Sequence, residues 1–243
     1  MFDFFSRKIP LSGSGLLDGM TDCHSHLLPG VDDGVGELTE SLGILDGMEC
    51  RGVRKVWLTP HVMEDVPNAT VVLLTKFSLL KAAYSGAVRL GLAAEYMLDN
   101  LFEERLETDD LLPLCEAGRR YLLVETSCFS PPMNLLSVLE RIRAKGYFPL
   151  LAHPERYLYM KESDYRALKA GGIAFQLNLP SLAGMYGKHV QKKAVLLLKA
   201  GMYDLAGNDI HSSEYLNILL RAKIDSRSRD RLSVCFRACH DAL

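Results

Sequence analysis

The sequence predicts an α/β protein built on parallel strands. Two observations carry this: seven apolar, β-rich runs alternate with helical patterns, and chemically active residues recur at the ends of those runs. The runs are 19–23, 53–58, 88–94, 121–124, 148–152, 173–177 and 203–206. Each is a short, nearly continuous apolar run, as expected of a strand covered on both faces. With 243 residues, 48% of them hydrophobic, the chain can build one substantial core. We expect residues 19–243 to form a single domain, preceded by an N-terminal extension at 1–18.

The connecting segments follow in order. Residues 37–51 place apolar side chains at helical spacing, with Gly52 as the stop. Segments 68–85, 134–145, 163–170 and 188–200 repeat that pattern, and 228–242 predicts a final amphipathic helix packed on the outside. Asp99, Glu103 and Glu104 suit a solvated helical face. Residues 11–15 (LSGSG) form the one flexible-looking stretch.

Composition narrows the function classes. A formal charge of −2, with no basic stripe interleaved with aromatics, does not indicate nucleic acid. Six cysteines show no C-x-x-C pair and no framework spacing, which suits reduced thiols. No apolar run is long enough to span a bilayer, and the start lacks a signal-peptide core. We therefore expect a soluble cytoplasmic protein with no transmembrane segment. Phe2, Phe4 and Phe5 are expected to fold onto the body, with contact to a membrane surface or a partner as the alternative.

The chemistry lies at the strand ends. His24 and His26 would share one face of an extended strand, leaving Cys23 on the other, and two converging imidazoles chelate a divalent metal. His61 follows the second run, Glu95 the third, Glu125 the fourth and His153 the fifth, while Asp209 and His211 follow the last. In a (β/α) barrel such ends meet at one mouth. Independent surface histidines would not keep this phase. A carboxylate closing an apolar strand is costly to bury without a cation or a hydrogen-bond network.

Each residue has a plainer reading. The histidines could be core residues satisfied by backbone, the carboxylates solvated strand ends, and Arg156 a surface partner of Glu155 or Glu162. Ser212 or Ser213 would cap a helix with Glu214 in its first turn, which is compatible with metal binding by Asp209 and His211. His189 and His240 read as structural or exposed. The C-x5-R loop of cysteine phosphatases, the phosphate loop of nucleotide kinases and the serine nucleophile elbow are all absent. Arg156, by contrast, is a fixed planar cation suited to a phosphate oxyanion.

Taken in order, six motifs resemble the PHP (polymerase and histidinol phosphatase) superfamily, specifically its bacterial CpsB/CapC/YwqE-like protein-tyrosine phosphatases. They are DCHSHLLPGVDDG from Asp22 to Gly34, Thr59-Pro60-His61, AEYMLD from Ala94 to Asp99, Val124-Glu125, LAHPERY from Leu151 to Tyr157, and Asp209-Ile210-His211. The resemblance implies a distorted (β/α)7, TIM-like barrel holding three divalent ions, for which this nitrogen and oxygen set accommodates manganese, iron or zinc. One ion would be held by His24, His26, Glu95 and Asp209, a second by Glu95, Glu125 and His153, and a third by Asp33, His61 and His211. The implied reaction is phosphomonoester hydrolysis by a metal-activated water, with Arg156 as oxyanion clamp. The implied substrate is a tyrosine-phosphorylated protein, the C-terminal tail of a tyrosine kinase of capsule or exopolysaccharide export.

One departure stands out. Where the family pattern continues past its last histidine toward a second arginine, this chain reads Ser212-Ser213-Glu214-Tyr215-Leu216, and the next arginine is Arg221. That leaves two competing readings: a small-molecule phosphatase acting on histidinol phosphate or a nucleotide, and a metal-stabilised phosphotyrosine-binding protein without turnover. The sequence does not fix the oligomeric state.

Overall fold

Short, doubly covered strands need helices on their outer faces, and the chain supplies the two in alternation. The computed structural model describes residues 7–232. In chain order the elements are β1 (Lys8–Pro10), β2 (Thr21–Asp22), α1 (Leu38–Glu49), β3 (Lys55–Leu58), β4 (His61–Val62), α2 (Thr70–Ala83), β5 (Arg89–Leu92) and β6 (Glu95–Met97). There follow α3 (Asn100–Thr108), β7 (Leu114–Glu116), β8 (Arg119–Glu125), α4 (Leu135–Ala144), β9 (Phe148–Ala152), α5 (Glu162–Ala170) and β10 (Ala174–Asn178). Last come α6 (Leu179–Leu182), α7 (Gly187–Lys199), β11 (Leu205–Gly207), α8 (Ser213–Arg221) and β12 (Lys223–Asp225).

All seven expected runs carry strand. Two of them extend into second strands because proline and a sheet change interrupt the ladder. Pro60 cannot donate a backbone N–H, so the line from β3 resumes as β4. The line from β5 likewise resumes as β6, with Ala93 N donating to Leu58 O at 2.9 Å and Glu95 N to Pro60 O at 3.0 Å. The result is a curled, mixed α/β architecture. Strands β11-β10-β9-β8-β6-β4 run parallel in one sheet, and β2-β3-β5 run parallel in another. Backbone bonds also join the first and last lines: Cys23 N donates to Ala206 O at 3.1 Å, and His26 N to Ile210 O at 2.9 Å.

The period-two alternation of β8 divides the core. Leu122 and Val124 face the helices, while Tyr121 and Leu123 join Leu150, Ala152 and Leu205 on the inner face. Glu125 is two residues beyond Leu123 and continues the inner row to its end.

Some features depart from the sequence expectation. β7 pairs antiparallel with β8 through Ala117 and Gly118, both at positive φ, a tight-turn geometry usually signalled by Asn-Gly. The stretch at 11–15 is a short helical turn with Leu11 buried, and β1 pairs antiparallel with β12. Cys23 does not leave for the opposite face. Regular strand ends at Asp22, and Cys23 packs with Trp57, Leu123 and Leu150 on the inner face. Asp99 caps α3, its Oδ1 accepting from Phe102 N at 2.9 Å. Of the final predicted helix, residues 228–232 are helical and the rest lies outside the described residues, as do Phe2, Phe4, Phe5 and His240. Among the described residues no helix is long and apolar enough to cross a membrane.

Candidate metal centre

The nine residues singled out at strand ends come together. His24 and His26 follow β2, His61 opens β4, Glu95 opens β6, Glu125 closes β8, His153 follows β9, and Asp209 and His211 follow β11. Asp33, on the loop after His26, completes the set at the outer edge with its side chain 70% exposed.

The geometry centres on Glu95. Its Oε2 lies 3.1 Å from His24 Nε2, 3.3 Å from His26 Nε2 and 3.2 Å from His61 Nδ1, while its Oε1 lies 3.1 Å from His153 Nε2. Asp209 Oδ1 stands 3.4 Å from the Nε2 atoms of both His24 and His26, which are themselves 3.1 Å apart. His61 Nδ1 reaches Glu125 Oε1 at 3.3 Å, and Asp33 Oδ1 lies 3.5 Å from His61 Nε2 and 3.6 Å from His211 Nε2.

Four groups have ligand atoms within 4.8 Å of one another: His24, His26 and Asp209; His24, Glu95 and His153; His61, Glu95 and Glu125; and His26, Asp33, His61 and His211. The partition differs from the implied one in detail. Glu125 groups with His61 rather than His153, and His26 also joins the outer group. Glu95 belongs to two groups, but it is absent from the group of His24, His26 and Asp209 in which the resemblance places it.

The residues behind the cluster explain its orientation. Gln176 donates from Nε2 to Leu177 O at 2.6 Å and accepts the His153 backbone N–H on Oε1 at 3.1 Å, which fixes its amide. The same Oε1 is 3.0 Å from His24 Nδ1, so that nitrogen carries the hydrogen and Nε2 is left for a cation. Asp32 holds His26 Nδ1 at 2.8 Å and accepts the His61 backbone N–H at 3.0 Å. Asn178 donates to Asp209 Oδ2 at 3.1 Å. Gln176 and Asn178 were not anticipated. Their signal was two amides inside the otherwise buried apolar strand β10.

Backbone shape matters too. His153 and Asp209 adopt left-handed φ values of 34° and 51°, uncommon for residues with a Cβ. Gly207 has no side chain because a Cβ there would sit 2.5 Å from His24 Cβ.

Charge follows packing. Burial opposes ionisation of Glu95, but the neighbouring His24 and His61 overcome it and hold the carboxyl well below its usual range. Burial also disfavours a charged His24, yet Glu95 and Asp209 raise it to about 9. His153 goes the other way, lowered to about 4 by burial and by Arg156. Burial and the Glu95 charge push Glu125 up. Glu95 and Asp209 thus favour positive charge beside His24 and His26.

The donor set fits metal ions. Five imidazoles and four carboxylates offer the mixed nitrogen and oxygen ligands that manganese, iron and zinc accept. In addition, the buried His61 Nδ1 has no hydrogen-bond partner, although it faces two carboxylates.

Arg156 stands at the edge of the cluster. Its Nη1 donates to Asp209 Oδ2 at 3.1 Å, and its guanidinium lies 4.6 Å from the Tyr186 ring centroid. It makes neither surface pair considered from the sequence. Glu155 is buried against Tyr203 and the Asn178 backbone, and Glu162 pairs with Arg166. Ser212 caps α8 as expected, accepting from Tyr215 N at 3.1 Å. Arg221 closes α8 nine residues later, roughly 12 Å along the axis from its start.

Fold and site together define an α/β protein with a metal-competent mouth rich in histidine and carboxylate. The chain belongs to the family described as capsular polysaccharide synthesis, CpsB/CapC, whose pattern matches residues 20–221. It is 28% identical over 207 residues to the tyrosine-protein phosphatase YwqE of Bacillus subtilis (strain 168), spanning 82% of this chain and 80% of that protein. It is 29% identical over 206 residues to the tyrosine-protein phosphatase CpsB of Streptococcus pneumoniae, spanning 79% of this chain and 83% of that one. Its fold matches a crystal structure from work on YwqE and CpsB, described there as unique metal-dependent tyrosine phosphatases. The TM-score is 0.75 at 24% identity, over 88% of this chain and 86% of that chain.

Proposed function

We propose that this protein is a metal-dependent protein-tyrosine phosphatase acting on a tyrosine kinase of capsule or exopolysaccharide production. The observation that carries it is the convergence of His24, His26, Asp33, His61, Glu95, Glu125, His153, Asp209 and His211 beside Arg156. Family membership and the activities of its named relatives point the same way. We read the parallel lines as a distorted (β/α)7 barrel, supported by the backbone bonds from Cys23 and His26 to the β11 line. Residues 19–243 are taken as one catalytic domain preceded by the extension 1–18, whose β1 pairs with β12. Cys50, Cys115 and Cys128 are not in disulfides, which suits the cytoplasm.

Three divalent ions would be held by the nine residues. When bound, such ions supply an acidified water and positive charge for a phosphoryl group. The chain's own residues do the rest. Arg156 keeps one nitrogen on Asp209 and offers its remaining N–H donors to phosphate oxygens, while Tyr186 fixes its plane. Asn178 and Tyr186 keep Asp209 aimed inward. A phenolate leaving group, with a reference pKa of about 10, departs with less need of a proton than an alkoxide. Cys128 lies beside Arg156, but burial pushes its thiol up, so it stays protonated and is a poor nucleophile. Phe129 and Met133, fully or mostly exposed on the loop after Glu125, give the mouth an apolar rim that suits a peptide.

The distance of Arg221 favours one second reading, a phosphotyrosine-binding protein without turnover. Phosphate release by the metal-reconstituted protein separates the two. We expect phosphotyrosine peptides to turn over faster than histidinol phosphate or a nucleotide. Faster hydrolysis of histidinol phosphate would overturn the substrate, and peptide binding without turnover at full metal occupancy would overturn the enzyme.

A further inference from the structure

We propose that the basic face formed by α7 and the β1–β12 ribbon binds the surface of an anionic lipid bilayer. This holds whether or not the metal site is a phosphatase. The inner side of α7 buries Val190, Ala194, Leu197 and Leu198. Helical spacing therefore turns Lys188, Lys192, Val195, Leu196 and Lys199 outward as one stripe. From Lys188 to Lys199 that stripe runs roughly 16 Å.

The ribbon widens the stripe into a surface. Lys8 of β1 and Lys223 of β12 lie beside it, with Arg227 and Arg231 on the helical turns that follow, around a groove of about 630 Å³. Among the described residues seven cations thus line one face of a chain whose formal charge is −2. Among the described residues the lining holds one carboxylate, Asp225, which accepts from Ser228 N at 3.0 Å and Ser228 Oγ at 2.5 Å and offsets one of these charges. Such a field attracts polyanions in general.

Three details favour a bilayer over a peptide or a nucleic acid. Five of the seven cations are lysines, compact point charges rather than the planar forks that select a single phosphate or carboxylate. Among the described residues no aromatic ring lines the groove on which a base could stack. An apolar side chain sits where a membrane would take it: Leu196 is 56% exposed between the lysines. Peripheral attachment takes such a pair of signals, basic and apolar. Tyr186, which carries Arg156 on its ring, immediately precedes α7. The N-terminal end of the basic stripe therefore lies beside the mouth.

The test is co-sedimentation of the full chain with vesicles of phosphatidylcholine alone and of phosphatidylcholine with phosphatidylglycerol. We expect binding to the anionic vesicles only, weakening as salt rises. At about 1 kcal/mol per lysine, the triple variant K188E/K192E/K199E should partition on the order of 100-fold more weakly, with an unchanged thermal midpoint. The milder K188Q/K192Q/K199Q serves if the charge reversal disturbs folding. Replacing Leu196 by serine should also weaken partitioning, with the lysines intact. Equal binding to neutral vesicles, undiminished binding by the folded lysine variants, or a preference for a DNA oligonucleotide or an acidic peptide over anionic vesicles would each overturn the proposal.

Discussion

Replacing Gln176 by leucine, close in volume and unable to accept a hydrogen bond, should uncouple metal affinity from the ligands themselves. The side chain is wholly buried, and its Oε1 serves two donors, His24 Nδ1 at 3.0 Å and the His153 backbone at 3.1 Å. Leucine would strand both. A buried donor left without its partner costs about 1–3 kcal/mol, so the pair predicts roughly 2–6 kcal/mol lost from the metal-free fold. Freed from Gln176, His24 can flip or change tautomer, and loss of such a supporting bond typically lowers metal affinity about 10–100-fold. Urea denaturation of the metal-free protein reads the first effect and calorimetric metal titration the second. If Gln176→Leu keeps its denaturation midpoint and binds metal within about threefold of wild type, an amide that orients His24 is not what holds this site together.

Three further outcomes follow from the same geometry. Glu95→Gln should lower both metal content and activity, because one carboxylate faces four histidines; elemental analysis of the purified variant showing full occupancy would contradict that. Arg156→Ala should retain the metals and lose kcat, since the guanidinium touches only Asp209 within the cluster; an unchanged rate would remove it from the reaction. Burial raises Glu155 from 4.5 to about 7, so the folded state favours its protonated form. Its stabilisation is complete below pH 4.5 and is lost as pH rises toward 7. In metal-free protein, Glu155→Gln should flatten that decline in thermal midpoint, and a parallel decline in the variant would assign the titration elsewhere.

The sequence disclosed the site more fully than the scaffold. His61, Glu95, Glu125, His153 and Asp209 could be placed because strand ends are marked by composition, and a parallel sheet gathers those ends on one side. The partners behind them were harder to read. Gln176 and Asn178 look like defects in an apolar strand until the fold sets them against His24 and Asp209. Cys23 misled for a related reason: alternation holds only while the strand is regular, and the regular strand ends at Asp22. The β1–β12 ribbon joins segments more than two hundred residues apart. Three-residue strands carry too little pattern to announce a partner at that separation.

The left-handed backbone at His153 and Asp209 bears on how this protein can drift. Each conformation costs about 1–3 kcal/mol that glycine would largely escape. A random walk guided by stability alone would therefore erase these two side chains early, and the chain would still fold. Copies that do not need them as ligands should lose them before they lose the core, so these two positions report whether a descendant keeps the proposed metal site.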